Sequence, residues 1–591
     1  LARRAEEPPA ALVVVSDGRL DRPSADELGL RGGLGLGPRE IPVHTVRVAE
    51  RAPKDAAIRS VRAAGAAVAH QPFAVRVEVA CSGGLACGTI SVVARELEDK
   101  GAPEVLARGK AELGGGADAS GTVELSLTLH RAGARVVELA IEAPEGDTIP
   151  ENDRRFVVLD VSRDRVRILH IAGRPTYDVR AMRTWLKGDG SVDVVAFFIL
   201  RTLSDHVGAP PSELALIPFP VDELFTVHLP SFDAVVLQDF DAEAYALTPH
   251  LGALARYVDA GGGLIMVGGP TSFGSGKYAG SELAEVLPVA LGPEHEREGA
   301  DLGWFVPDFT PSAQVAPVLA PLRAVVGERL PSMPGTNLVG SARSGATVLF
   351  THPTLKAEGQ PMPVLALGEH GTGRTIALTI DGTHRLAFGT DAAEHAGRAY
   401  GALWDGLLGW LMRDPKYEST TIDLPAGCVA GHSSELVLRP LPGTKGEARV
   451  VVTRLGGDAE VVHEARVPID TASRGTSLSL PPLGAGGYAV SVRTGDDDAL
   501  GPATRRDFAC ERGGPEWADV RPDPARLEAI ARATGGVAVS HDDVASIPRP
   551  PTVVVSTQRR AKPLAPPWLW TSLAAGLVGL HWIVRRKGGL A

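Results

Sequence analysis

Between positions 88 and 427 the chain has no cysteine. That absence removes a thiolate nucleophile from more than half of the sequence. It also leaves no Cys/His cluster with zinc-ligand spacing, so neither a metal nor a cofactor is expected. A basic excess is missing too. Sixty Lys and Arg stand against 71 Asp and Glu, a net charge of −11 with no long run of one sign. That excludes the basic face a nucleic-acid partner requires. A phosphate-binding loop, G-x-x-x-x-G-K-[S/T], is approached only in VGGPTSFGSGKY, 267–278. There Gly276 and Lys277 supply the GK, but Thr271 replaces the first glycine and Tyr278 the magnesium-holding hydroxyl. Nucleotide is therefore not expected as a partner. The same turn lacks a G-x-S-x-G frame. Ser272 and Ser275 are nearby, but the candidate bases His352 and His384 come at no diagnostic spacing. The bland reading is that Gly268 and Gly269 let the chain turn tightly against a neighbouring loop, with Ser272, Ser275 and Lys277 exposed around them. No catalytic residue is assigned, and the reading leans away from an enzyme.

Four cysteines remain. Cys81 and Cys87 bracket the short turn CSGGLAC, and Cys428 and Cys510 stand near the two ends of a later strand-rich segment. Two pairs, each within one module, fit two disulfides in an oxidising compartment. The alternative is four unrelated buried thiols.

Long apolar runs are scarce, and one stands out. WLWTSLAAGLVGLHWIV, 568–584, has no formal charge over 17 residues, at the short end of the ~17–25 that cross a bilayer. Trp568, Trp570 and Trp582 mark its ends as an interfacial belt does, and Arg585, Arg586 and Lys587 follow. A transmembrane helix over 567–585 is expected, with the tail cytoplasmic and the bulk extracytoplasmic. Arg559, Arg560 and Lys562 put similar charge on the other side, and the cysteine pairs help to settle the orientation. The competing reading is a buried C-terminal helix.

The rest divides by pattern. Residues 1–52 hold two strand-like runs, ALVVVSDG and IPVHTVRV, which cannot bury a core alone and read as the tail of a domain. Residues 53–163 alternate with period 2 between Gly, Asp and Pro turns, as in a small antiparallel β-sandwich. Residues 164–414 alternate strands with amphipathic helices. TPHLGALARYVDAGGG places Leu251, Leu254, Ala255 and Val258 on one face. That pattern implies a parallel or mixed sheet with helices on both sides. Residues 415–512 return to strands, a second β-sandwich, and 513–566 give a helix, a strand and a linker.

At this point the chain resembles a known family. DRVRILHIAGRPTYDVRAMR, FDAVVLQDFD, YVDAGGGLIMVGGPTSFGSGKYAGSELAEVLPV and GEHGTGRTIALTIDGTHR are similar to the glutamine-amidotransferase-like (class I GATase-like) domain of large bacterial membrane proteins. ALVVVSDGRLDRP and IPVHTVRVAERAPKD resemble the second half of the von Willebrand type A domain that often accompanies it. The resemblance implies a flavodoxin-like core over 164–414, flanked by the two sandwiches. It also implies a Cys-His-Glu triad with its cysteine at the turn after a central strand. Here that turn is Gly268-Gly269-Pro270, and Thr351-His352-Pro353-Thr354 echoes the late His-Pro-Glu motif without its glutamate. In the type A domain Asp17 would be one metal ligand, but only if a D-x-S-x-S motif preceded Leu1. The fold is thus implied and the chemistry withdrawn. The expectation is a membrane-anchored envelope protein with a binding or assembly role and protein partners. The alternative is a hydrolase or transferase using a non-cysteine site. Within GRPTYD, 173–178, Arg174 and Asp178 join a strand end to a helix start, where open α/β sheets bind ligands. With Gly268 and Gly269 they are the candidate ligand-binding residues; their alternative is a solvated, helix-capping loop. HGTGR, 370–374, reads as a hairpin turn rather than an anion nest.

Overall fold

Strands that are apolar on both faces must be covered on both faces, and the chain's longest apolar strands sit in one such sheet. The computed structural model describes residues 11–19, 41–198 except 115 and 117, 219–388, 397–549 with short gaps (442, 443, 445, 470–474, 497, 498, 513, 514), and 565–589. Residues 20–40, 199–218, 389–396 and 550–564, the last within the linker expected at the end of 513–566, lie outside them. Two compact units form, residues 52–521 and residues 1–51 with 522–591.

In the second of these, Leu12–Ser16 runs parallel to Val43–Arg47, and Val43–Arg47 parallel to Ala538–Ser540. Helix Pro524–Thr534 begins where the Asp523 side chain accepts from Arg526 N and ends on left-handed Gly535. It buries Leu527, Ile530 and Ala531, and Thr45 Oγ1 donates to Leu527 O at 3.1 Å. Helix Pro567–Lys587 is 21 residues long, about 31 Å at ~1.5 Å per residue and close to the ~30 Å bilayer core. Among the described residues it is the one helix long and apolar enough to cross a membrane. None of its residues is buried, so the alternative of a buried C-terminal helix does not match the structure.

Residues 52–521 contain the rest. Two sheets share one core between residues 53 and 163: Asp55–Ala64, Pro72–Ser82 and Ser120–Thr128 in one, with strands including Thr89–Glu96 and Gly133–Ile141 in the other. Between 420 and 511 two further sheets share a core around Leu436, Val450, Val490 and Phe508. Cys81 is bonded to Cys87, and Cys428 to Cys510. Cys428 and Cys510 are register partners on neighbouring parallel strands.

The large sheet comprises β1 (Val166–Ala172), β2 (Val192–Phe198), β3 (Ala234–Gln238), β4 (Gly263–Val267), β5 (Asp308–Phe309), β6 (Thr347–Ala357), β7 (Gln360–His370) and β8 (Gly373–Leu378). Their order is β2-β1-β3-β4-β8-β7-β6-β5, parallel from β2 to β8 and antiparallel beyond. The helices are α1 (Tyr177–Gly188), α2 (Leu251–Asp259) and α3 (Arg398–Leu411). Alternate strand residues feed two cores. Ile168, Val236 and Ile265 pack with Met182 and Leu186 of α1 and Trp404 and Leu407 of α3. Leu169, Leu237 and Met266 pack with Leu254 and Val258 of α2. HGTG is a hairpin turn, His370 pairing with Gly373. The chain leaves β1 for β2 on one side and returns to β3 on the other. Such a reversal is where open α/β sheets usually form their ligand crevice, here beyond the carboxyl ends of β1 and β3.

Candidate functional site at the carboxyl ends of the strands

Four strand ends converge there: Gly173-Arg174 after β1, Asp239 after β3, Gly268-Gly269 after β4, and Thr379-Ile380-Asp381 after β8. Asp239 has a left-handed backbone, φ 45°, a conformation Asp tolerates better than most residues. Its carboxylate is fully buried. Oδ2 accepts from Arg174 Nε at 2.7 Å, and Oδ1 from both the backbone N and the hydroxyl of Thr271 at 2.8 Å.

Asp178 is also buried, in the first turn of α1. The capping expected of its loop is done by Thr176, whose side chain accepts from Val179 N. Asp178 instead accepts from the Thr383 hydroxyl at 2.8 Å and from the backbone N of His384, and meets His384 Nδ1 at 3.2 Å. Behind it, Gln238 Nε2 donates to Asp178 Oδ2 at 3.3 Å, while Gln238 Oε1 lies 3.0 Å from His170 Nε2. Burial pushes the His170 pKa down to about 4. The ring is therefore neutral, with Nε2 as the donor to Gln238.

Asp381 completes the group. Burial, then the nearby carboxylates of Asp178 and Asp239, push its pKa up to about 7, against the opposing pull of His384 and Arg174. A carboxyl that exchanges its proton near neutrality is suited to general acid–base work. Among the described residues no group of three or more His, Cys, Asp or Glu could hold a metal ion.

The turn after β4 is closed. A β-carbon on Gly268 would fall 2.2 Å from Thr379 O, and one on Gly269 2.5 Å from Asp239 Cγ. Asn337 seals the turn, accepting from Gly269 N at 2.9 Å and donating to Gly269 O and Ser272 O. Ser272 is buried, with its hydroxyl on Val267 O at 2.7 Å; the expectation that it is exposed is corrected. Lys277 is exposed, 3.7 Å from Glu296. His352 serves its own strand, Nδ1 accepting from Thr354 N and Leu355 N.

Residues 218–413 match the GATase1_like family model, "Putative glutamine amidotransferase". The GATase-like domain so defined contributes β3, β4, β8, Asp239, Asn337, Asp381 and His384. Arg174 and Asp178 come from the segment just before it. No curated protein matches the chain. Among solved structures, the carbohydrate deacetylase Agd3 is 12% identical, covering 45% of this chain and 34% of its own, with a TM-score of 0.23. A CARDB domain from Pyrococcus furiosus, solved with di-metal ions, is 11% identical over 19% of this chain and 91% of its own, TM-score 0.15. A redesigned β-sandwich protein is 15% identical over 16% and 93%, TM-score 0.13. At these scores none of the three bears on the fold.

Of the candidates read from sequence, Arg174 and Gly269 meet at Asp239, Gly268 lines the same turn, and Asp178 engages His384. Sequence reading missed Asp239, Asn337 and Asp381. The signal for two of them was an acidic residue directly after a buried run, in AVVLQD and IALTID.

Proposed function

We propose that this is a membrane-anchored, extracytoplasmic protein whose GATase-like domain binds a ligand or partner at the cell envelope without hydrolysing glutamine. The observation that carries this is the closed turn at Gly268-Gly269, which has neither a thiol nor room for one. In this reading 164–414 is a flavodoxin-like core between two β-sandwiches, and 1–52 is the end of a von Willebrand type A-like domain in a bacterial protein. The exposed apolar helix at Pro567–Lys587 supports the anchor, and two disulfides support an oxidising compartment. Arg174, Asp178, Gly268 and Gly269 line the binding crevice.

A second reading rests on Asp381 beside the His384–Asp178 pair: a hydrolase or transferase in which the Asp381 carboxylate takes the proton of the attacking nucleophile, water in a hydrolase or an acceptor hydroxyl or amine in a transferase, and returns it to the leaving group. The two readings separate on one assay. The full chain in detergent is offered panels of amides, esters and glycosides, in parallel with Asp381→Asn. The binding reading expects no turnover. Hydrolysis lost in the Asn variant would replace it with the second reading.

A further inference from the structure

At the opposite, amino-terminal end of the large sheet lies a cavity of about 290 Å³. Its walls carry Arg131, Arg135, Arg163, Arg413, Arg505 and Arg506 against three carboxylates, Asp160, Glu418 and Asp507. Five of the arginines are paired: Arg131 with Glu98 at 3.3 Å, Arg135 with Glu96 at 2.6 Å, Arg163 with Asp233 at 3.1 Å, Arg505 with Asp99 and Asp507, and Arg506 with Asp423 at 3.1 Å. Among the described residues Arg413 has no carboxylate partner. Its one side-chain hydrogen bond among them runs from Nη2 to Thr372 O at 2.9 Å.

The surroundings draw other guanidinium groups toward it. Arg131 Nη1 donates to the hydroxyl of the same Thr372 at 3.1 Å, and Arg163 Nη1 to the carbonyl of Met412 at 2.7 Å. Arg413 also stands where the backbone favours glycine. It follows α3 with φ 59°, Arg413 N donating to Trp410 O and Asp414 N to Gly409 O, a helix ending that usually takes glycine at the left-handed position. The turn gives no reason for an arginine there. Burial and the like charge of Arg374 pull the Arg413 pKa down to about 9 against the weaker attraction of Glu369 and Glu418, as expected of a half-buried cation with too little counter-charge.

We propose that this cavity binds a small oxyanion, phosphate or carboxylate, gripped by the Arg413 fork with Arg131 and Arg163 beside it. Planar guanidinium groups match both chemistries in bidentate fashion. The anion would tie together the 131–135 turn, the 411–421 connection and the strand Thr504–Glu511. The site is separate from the crevice and independent of the function proposed above.

The test is thermal unfolding of the full chain in detergent, titrated with inorganic phosphate, succinate or chloride at matched ionic strength. Phosphate, succinate or both should raise the melting temperature saturably beyond chloride, as ligand linkage requires; which of them acts assigns the source. Arg413→Gly should melt at or above the wild-type temperature in chloride, because glycine suits that backbone, and should lose the response. Arg413→Lys should keep it with a midpoint weaker by about tenfold. Phosphate and succinate acting no better than chloride on the wild type, or Arg413→Gly responding as the wild type does, would overturn the proposal.

Discussion

Asp239 occupies the space that a side chain on Gly269 would need: an added β-carbon falls 2.5 Å from its Cγ. Asp239 cannot easily withdraw, because Arg174 and Thr271 hold both of its oxygens. A thiol at this turn is therefore excluded by packing as well as absent from the sequence.

Placing a cysteine in the turn should be destabilising for that reason. Gly269→Cys and Gly268→Val should each cost about 1–3 kcal/mol, as overpacking does, read from urea unfolding. Ser272→Ala should cost about 1 kcal/mol for its buried hydrogen bond. Ser275→Ala should stay within about 0.5 kcal/mol. A neutral Gly268→Val would contradict the closed turn.

Asp381 gives the crevice a pH signature. Its pKa is about 7 when folded and about 4 in the unfolded chain. Between those values the folded state binds the extra proton, so stability falls as pH rises through the window and levels off above it. Asp153, pushed up to about 7, and Asp55, pushed up to about 6, mainly by burial, tilt the curve the same way. Asp381→Asn isolates one contribution. At pH 8 it should be about 1–2 kcal/mol more stable than the wild type, less than full desolvation implies because the side chain keeps some water. Unfolding curves for both proteins from pH 4 to 8 check this, and parallel curves would refute it.

Arg374 and Glu418 form a buried bidentate pair, at 2.7 and 3.1 Å, with Arg374 also donating to Ala503 O. Removing Glu418 leaves the buried Arg374 with only its longer carboxylate contact, to Glu369 at 3.6 Å. Glu418→Ala should cost about 3–5 kcal/mol, while replacing both residues with apolar ones of similar volume should cost much less. Equal losses in the single and double variants would contradict this.

The disulfides should differ in weight. Cys428 and Cys510 are 82 positions apart, Cys81 and Cys87 only 6. In the chain-entropy model the first contributes about 4–5 kcal/mol and the second about 2. Serine variants unfolded in denaturant give the ranking. Four free thiols by mass spectrometry of non-reduced protein would remove the basis for it.

What could be read from sequence was what is local. VRILHIA, AVVLQ, GLIMV and GRTIAL announce themselves as strands because burial on both faces demands continuous apolar runs, and Gly535 ends its helix as a left-handed glycine should. The pairing of Val43–Arg47 with Ala538–Ser540 left no trace, since parallel pairing between distant segments has no local period. The crevice was half legible. Arg174 and Asp178 follow from their place between strand and helix. Asn337 does not, because it reaches the turn from a separate strand, Met333–Asn337. Ser272 looked exposed because turn residues usually are, and is buried because Asn337 and Val267 take up its polar groups.

The central claim is that this GATase-like crevice binds without hydrolysing glutamine. Ammonia release from L-glutamine by the full chain in detergent tests it most directly, with Asp381→Asn measured alongside. The account predicts no release above buffer from either protein. Steady release by the wild type that Asp381→Asn abolishes would contradict it.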